Sequence, residues 1–375
     1  MNKNPLLVLE TFGQSVWLDY LSRKALDDGY LKRLIDEDGL SGLTSNPSIF
    51  EKAIAESNDY DDAIHTLTAK GKSVDEIYQA LTVEDIQRAA DLFRPVFDRL
   101  KGADGFVSLE VSPQLAHNTA ETIVEARQLW AAANRPNLFI KVPATREGLP
   151  AIQQLIGEGI NVNITLLFGL PRYREVAEAY LAGLETLVAR GKPLDQVSSV
   201  ASFFLSRIDV LIDPLLDKKA AAENVAGLSG QAAIASAKVA YQIYQEIFGA
   251  ERFRKLASMG ARTQRLLWAS TGTKNPKYSD VKYIEPLIGL DTINTMPPET
   301  MDAYREHGQP SSQLEKGALE AYRVLEGLRE AGIDLDEMTQ QLEDEGVAKF
   351  NKAFEQLTAA LSEKRAASSQ ESVKP

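Results

Sequence analysis

The sequence predicts an α/β fold, a (β/α)8 TIM barrel with additional helices and a C-terminal helix over the barrel mouth. Three observations predict it. Short apolar, β-branched runs recur eight times between residues 15 and 296, and helix-length patterns separate most of them. Strands that alternate with helices imply parallel pairing through right-handed crossovers, and eight such repeats favour closure. Several runs also place polar residues at alternate positions near their C-terminal ends, where a barrel gathers its chemistry. An open doubly wound sheet is the alternative. No Gly-x-Gly-x-x-Gly follows a strand, so its dinucleotide-binding form is disfavoured.

In chain order the strand candidates are "SVWLDY" (15–20), "GLTSN" (42–46), "GFVSLEV" (105–111) and "LFIKV" (138–142), followed by "NVNITLLF" (161–168), "SSVASFF" (198–204), "RLLWAS" (265–270) and "DTINTM" (291–296). Helical patterns fill the gaps. In "TVEDIQRAADLFRPVFDRL", Thr82 is the expected N-cap, with Asp85 three residues on. Ile86, Ala90, Phe93, Phe97 and Leu100 then recur on one face. Residues 47–104 and 205–264 read as helical insertions in a single domain spanning 1–365. A helix at about 334–364 carries Phe350 and Phe354 on one face, and the small polar stretch 366–375 reads as a disordered tail.

Bulk composition narrows the function. The chain has 375 residues, enough for an extensive core without crosslinks, and no cysteine. Disulfides, thiolate metal sites and cysteine nucleophiles are thereby excluded. Net charge is −12 with a pI near 5.0, and no Lys/Arg cluster stands out, which argues against nucleic acid and anionic membranes as partners. The three histidines, His65, His117 and His307, form no ligand spacing, and no acidic loop has metal-binding spacing, so neither metal nor cofactor is expected. The N-terminal "MNKNPLLVLETFG" lacks the apolar core of a signal peptide, and no stretch reaches the ~20 apolar residues of a membrane span. The expectation is a cytoplasmic protein, monomer or homodimer, acting on small molecules. An anionic substrate then requires a few cations focused locally.

Strand alternation supplies the candidate site. If Val107, Leu109 and Val111 face the helices, Ser108 and Glu110 face inward; Leu138, Ile140 and Val142 leave Phe139 and Lys141 inward; Val162, Ile164 and Leu166 leave Asn163 and Thr165. The same logic turns Asp19 inward. With Asn46 and Ser202, these make one polar interior, costly to assemble for stability alone. Burial disfavours an ammonium group, and a neutral amine attacks carbonyls to form a Schiff base. The protonated imine then draws electrons from a neighbouring carbon–carbon bond. Such chemistry needs a carboxylate to shuttle protons and another to take a hydroxyl proton. Glu110 and Asp19 are available.

The ordered stretches "SVWLDYLSR", "GLTSNPSIF", "VSLEVSP", "LFIKVPAT", "NVNITLLF", "ASFFLSRID" and "WASTGTKNP" resemble the transaldolases, in particular the longer bacterial ones. The resemblance runs from residue 15 to 276 and continues through the C-terminal helices. It implies Lys141 as the Schiff-base lysine, and Glu110, with a water held by Thr165, as the proton shuttle during imine formation. It implies Asp19 as the acid/base at the breaking bond, Asn46 and Asn163 as amides holding the dihydroxyacetone hydroxyls, and Ser202 as a further polar contact. Arg207 matches the family's phosphate-binding arginine, and Phe204 an aromatic lining the same pocket. Where many relatives carry an arginine after the seventh strand this chain has "ASTGTKNP", making Ser270 and Lys274 the candidates for the second phosphate contact. The implied reaction transfers a dihydroxyacetone unit from sedoheptulose 7-phosphate to glyceraldehyde 3-phosphate, with sugar phosphates as the partners. Two alternatives are a fructose-6-phosphate aldolase, usually shorter and without a glutamate at the place of Glu110, and a non-catalytic barrel that binds sugar phosphates.

Overall fold

The computed structural model describes residues 4–219, 225 and 227–371. Eight parallel strands close into a barrel in sequence order, each hydrogen-bonded to the next and the last to the first. They are β1 (Gln14–Asp19), β2 (Leu40–Thr44), β3 (Phe106–Glu110), β4 (Leu138–Pro143), β5 (Val162–Leu167), β6 (Ser199–Phe204), β7 (Arg265–Ala269) and β8 (Thr292–Met296). Every one overlaps a run read from the sequence. The doubly wound alternative is thereby set aside.

Fifteen α-helices are described. Before β3 come α1 (Pro5–Leu9), α2 (Arg23–Asp27), α3 (Tyr30–Asp38), α4 (Pro47–Ala55), α5 (Asp61–Ala69) and α6 (Val74–Arg99). Between β3 and β7 lie α7 (Thr119–Ala133), α8 (Gly148–Ile156), α9 (Leu170–Ala189), α10 (Ser206–Lys218), α11 (Ala232–Gly249) and α12 (Glu251–Ala257). After β8 come α13 (Pro298–His307), α14 (Ala318–Glu330) and α15 (Leu335–Glu371). The stretch 47–104 thus holds α4 to α6, and 205–264 holds α10 to α12, apart from 220–224 and 226, which lie outside the described residues.

Two boundaries differ from the expectation. Helix α6 starts at Val74, not at Thr82. Ser73 caps it, accepting from the Glu76 backbone N–H while the Glu76 carboxylate accepts from Ser73 N–H, a reciprocal capping box. Thr82 lies more than two turns into the helix, its hydroxyl donating to the Tyr78 carbonyl at 2.9 Å. At the other end, α15 runs on to Glu371 where a disordered tail was expected from 366; residues 372–375 lie outside the described residues. Tertiary tethers extend it: Lys364 Nζ donates to Ser57 O at 2.8 Å and to Asp61, and Arg365 Nε to Lys72 O at 2.9 Å.

The barrel interior is stratified. Trp17, Phe106 and Phe139 pack together beneath the functional end, with the Phe106 and Phe139 rings stacked at 4.2 Å. Gly42 lies against this layer because a Cβ there would meet the Trp17 indole at 2.2 Å. Below the aromatics, buried Asp104 accepts from Trp17 Nε1 at 2.8 Å, from Ser15 and from Ser41 at 3.1 Å, and pairs with Arg265 at 3.4 Å. An apolar floor therefore separates this polar plug from the polar groups above.

Candidate active site

Strand register builds the site. Glu110 of β3 is the lateral partner of Lys141 on β4, and Lys141 is the partner of Asn163 on β5. Side chains of paired residues in a parallel sheet project to the same face, so the three stand in a row inside the barrel. Lys141, 3% exposed, donates from Nζ to Glu110 Oε2 at 3.2 Å and to the Ser45 carbonyl at 3.0 Å. Burial raises the Glu110 carboxyl above the usual range, and the attraction of Lys141 offsets this only in part. Glu110 Oε1 and Thr165 Oγ1 are both buried without a protein partner, the condition in which a buried polar atom calls for water or ligand.

Asp19 ends β1. Its Oδ1 accepts from the Thr44 hydroxyl at 2.6 Å, and Thr44 shares a 2.8 Å bond with Thr295. Burial pushes the Asp19 carboxyl up, against the pull of Lys141, the Thr44 hydrogen bond and Arg207. Asn46 caps α4, with Pro47 at the first helical position. Its Oδ1 accepts from Ile49 N–H at 3.1 Å, which fixes the side chain and leaves the amide N–H groups for another partner.

Asp19, Asn46, Lys141, Ser202, Phe204, Arg207, Ser270 and Lys274 all line one cavity of about 180 Å³ at the C-terminal end of the strands. The three remaining residues read from the sequence stand behind or beside its wall. Asn163 accepts from the Ser202 hydroxyl at 2.6 Å and donates to Ser108 Oγ at 3.0 Å, so it backs Ser202. Thr165 follows two residues on, just before a bulge where Leu166 takes a left-handed φ of 53°. Glu110 lines a neighbouring cavity of about 410 Å³ between α6 and α7, together with Tyr78, Glu125 and Phe354.

Arg207, the second residue of α10, lies over the Phe204 ring at 5.4 Å and the Phe350 ring at 5.9 Å. Ser270 bonds Ser206 Oγ at 2.9 Å and itself holds a left-handed φ of 54°, a costly conformation typical of functional loops. Thr44 and Lys349 are among the wall residues that sequence reasoning missed. Thr44 was legible, being the register partner of Asp19 one strand away. Lys349 was not, because only the path of α15 across the barrel end brings it to the cavity. With it, the site holds four basic groups (Lys141, Arg207, Lys274, Lys349) against two acids (Asp19, Glu110). Among the described residues no group of three or more histidine, aspartate or glutamate side chains could hold a metal ion, and no helix is long and apolar enough to cross a membrane.

A closed parallel barrel presenting this polar, cation-rich cavity at its C-terminal end is an enzyme barrel of the aldolase superfamily. A family description reading "Transaldolase/Fructose-6-phosphate aldolase" matches residues 16–361, and the chain belongs to that family. Among similar curated proteins, "Transaldolase" of Saccharopolyspora erythraea is 48% identical over 359 residues, covering 96% of this chain and 97% of that one. "Transaldolase" of Trichodesmium erythraeum is 47% identical over 373 residues, covering 97% and 98%. "Transaldolase" of Thiobacillus denitrificans is 48% identical over 349 residues, covering 93% and 97%. The chain is accordingly an enzyme, a transferase of aldehyde or ketone residues.

Proposed function

We propose that the chain is a cytoplasmic transaldolase, a single catalytic domain over residues 1–365. It moves a dihydroxyacetone unit from sedoheptulose 7-phosphate to glyceraldehyde 3-phosphate, yielding erythrose 4-phosphate and fructose 6-phosphate in the non-oxidative pentose phosphate pathway. One observation carries this reading: a buried lysine on the cavity wall, paired with a single buried carboxylate at 3.2 Å, with a second carboxyl on the same wall.

Lys141 attacks the C2 carbonyl once its proton passes to Glu110, whose burial makes it a willing acceptor. Loss of water from the carbinolamine gives the imine. The water leaves toward the unpartnered Glu110 Oε1 and Thr165 Oγ1. Asp19 then takes the C4 hydroxyl proton, the C3–C4 bond breaks, and its electron pair is delocalised into the iminium as erythrose 4-phosphate departs. The carbanion equivalent, held by Asn46 and the Asn163–Ser202 pair, attacks the aldehyde carbon of glyceraldehyde 3-phosphate. Hydrolysis of the new imine releases fructose 6-phosphate. Arg207, Ser270 and Lys274 hold the phosphate at the far end of the same cavity.

Borohydride trapping with fructose 6-phosphate tests the reading. The expected product is an adduct of dihydroxyacetone mass on the peptide containing Lys141, with at least a thousandfold loss of activity in Lys141→Ala. Bound sugar without an adduct would instead support a non-catalytic barrel. Release of free dihydroxyacetone without transfer to glyceraldehyde 3-phosphate would support the aldolase alternative.

A further inference from the structure

The cations of the cavity come from three separate elements. Arg207 is on α10, Lys274 follows β7, and Lys349 projects from α15. Four other basic residues of α9 and α15, namely Arg172, Arg174, Lys364 and Arg365, each have a hydrogen-bonding or ionic partner on another element. Arg207, Lys274 and Lys349 do not: among the described residues no carboxylate forms an ion pair with any of the three. Three like charges are thus gathered around one pocket whose wall carries a single carboxyl, Asp19, too little to balance them, and such an excess costs free energy while the pocket is empty. The charge of Arg207, then burial, then Lys274 and Lys52 of α4 weaken the hold of Lys349 on its proton. Arg207, Lys274 and Lys349 line the same cavity as Lys141.

We infer that Lys349 is a third cationic ligand to the substrate phosphate, beside Arg207 and Lys274, and that through it the phosphate fastens α15 over the barrel mouth. The inference rests on the transaldolase reading. A phosphate dianion relieves the repulsion among the three cations and accepts a hydrogen bond from each. Because Lys349 belongs to the helix that crosses the mouth, the anion binds more tightly when that helix is docked. Anything that binds the docked state better shifts the population toward it, and the coupling is reciprocal. Phe350, the next residue, is carried onto Arg207 by the same movement. The far end of the sugar thereby controls whether the near end, at Lys141, is sealed from water.

Replacing Lys349 separates ligand binding from helix docking, because the two should move in opposite directions. In Lys349→Gln, KM for fructose 6-phosphate and the inhibition constant for inorganic phosphate should each rise about tenfold, the loss of one charge-assisted contact. Transfer to unphosphorylated D-glyceraldehyde should change far less than transfer to glyceraldehyde 3-phosphate. Lys349→Arg should restore most of the affinity. In the ligand-free enzyme, α15 should become more protected from hydrogen exchange in Lys349→Gln, since a repulsive charge is gone. Inorganic phosphate should increase protection of α15 in the wild type and not in the variant. A wild-type KM in Lys349→Gln, or equal phosphate-linked protection of α15 in both proteins, overturns the inference. Borohydride trapping of wild type keeps the two readings apart: an adduct on Lys141 with a wild-type KM in the variant sinks only the role of Lys349. Absence of any adduct in wild type sinks the transaldolase reading itself.

Discussion

Half-buried Asp19 and buried Glu110 are both carboxyls whose proton affinity is raised, yet their surroundings fit them for different tasks. Glu110 faces the lysine and an unpartnered oxygen site, whereas Asp19 is oriented by Thr44 and faces the cavity. The raised affinity of Asp19 has a stability consequence. Below the ordinary aspartate value of 3.8 the group is protonated folded and unfolded, and burial costs nothing extra. As pH rises, the unfolded chain ionises first, and stability is lost until the folded carboxyl has also ionised. Asp19→Asn is therefore expected to raise the thermal midpoint at neutral pH, with the gain vanishing below about pH 3.8. The same variant should lose activity by at least about a hundredfold and leave a borohydride adduct of whole-sugar mass. A thermal gain that persists unchanged at pH 3 would contradict the assignment of strain to the ionised carboxyl. Most of these residues were legible because alternation on a strand separates the two faces, and a polar residue on the inward face stands out. Asn163 shows the limit of that logic. Alternation gave its direction, but not that Ser202 and Ser108 would occupy its amide and set it behind the wall.

Among the elements, strands were the easiest to read, since β-branched runs bounded by polar loops have few other homes. Helix ends were harder. The start of α6 lay in a Ser-x-x-Glu capping box at 73–76, overlooked in favour of Thr82 because the apolar periodicity is clearest downstream of it. The length of α15 could not be read locally. Its last turns are small and polar, and what holds them is Lys364 and Arg365 reaching loops around Ser57 and Lys72, some 300 residues away in sequence. The position of α15 has a kinetic counterpart. Removing residues from 340 onward, or replacing Phe350 by Ala, should increase release of dihydroxyacetone relative to transfer by opening the cavity to water. The ratio of free dihydroxyacetone to fructose 6-phosphate measures this, and an unchanged ratio in both variants would remove α15 from the role of lid.

At the scale of the molecule, the barrel separates stability from chemistry along its axis. The polar cavity lies at the C-terminal end, an aromatic layer closes the middle, and the Asp104 plug sits below. Asp104→Ala would leave Trp17 Nε1 without its acceptor and remove the carboxylate that Ser15, Ser41 and Arg265 share. A loss of about 3–5 kcal/mol in denaturant unfolding is expected, with kcat per folded molecule unchanged. A fall in kcat at full folding would mean that the two ends communicate through the floor. The charge is divided in the same way. A chain with net charge −12 gathers four basic groups against two acids at the site.

Translation delivers all eight strands before it delivers residues 335–371. A nascent chain can therefore close its barrel and align Glu110, Lys141 and Asn163 while the pocket still lacks Lys349 and Phe350. If Lys349 acts as inferred, the phosphate subsite is completed only once the last helix has been made. A protease that clips α15 from the finished protein would return it to that earlier stage, a folded barrel with an open mouth.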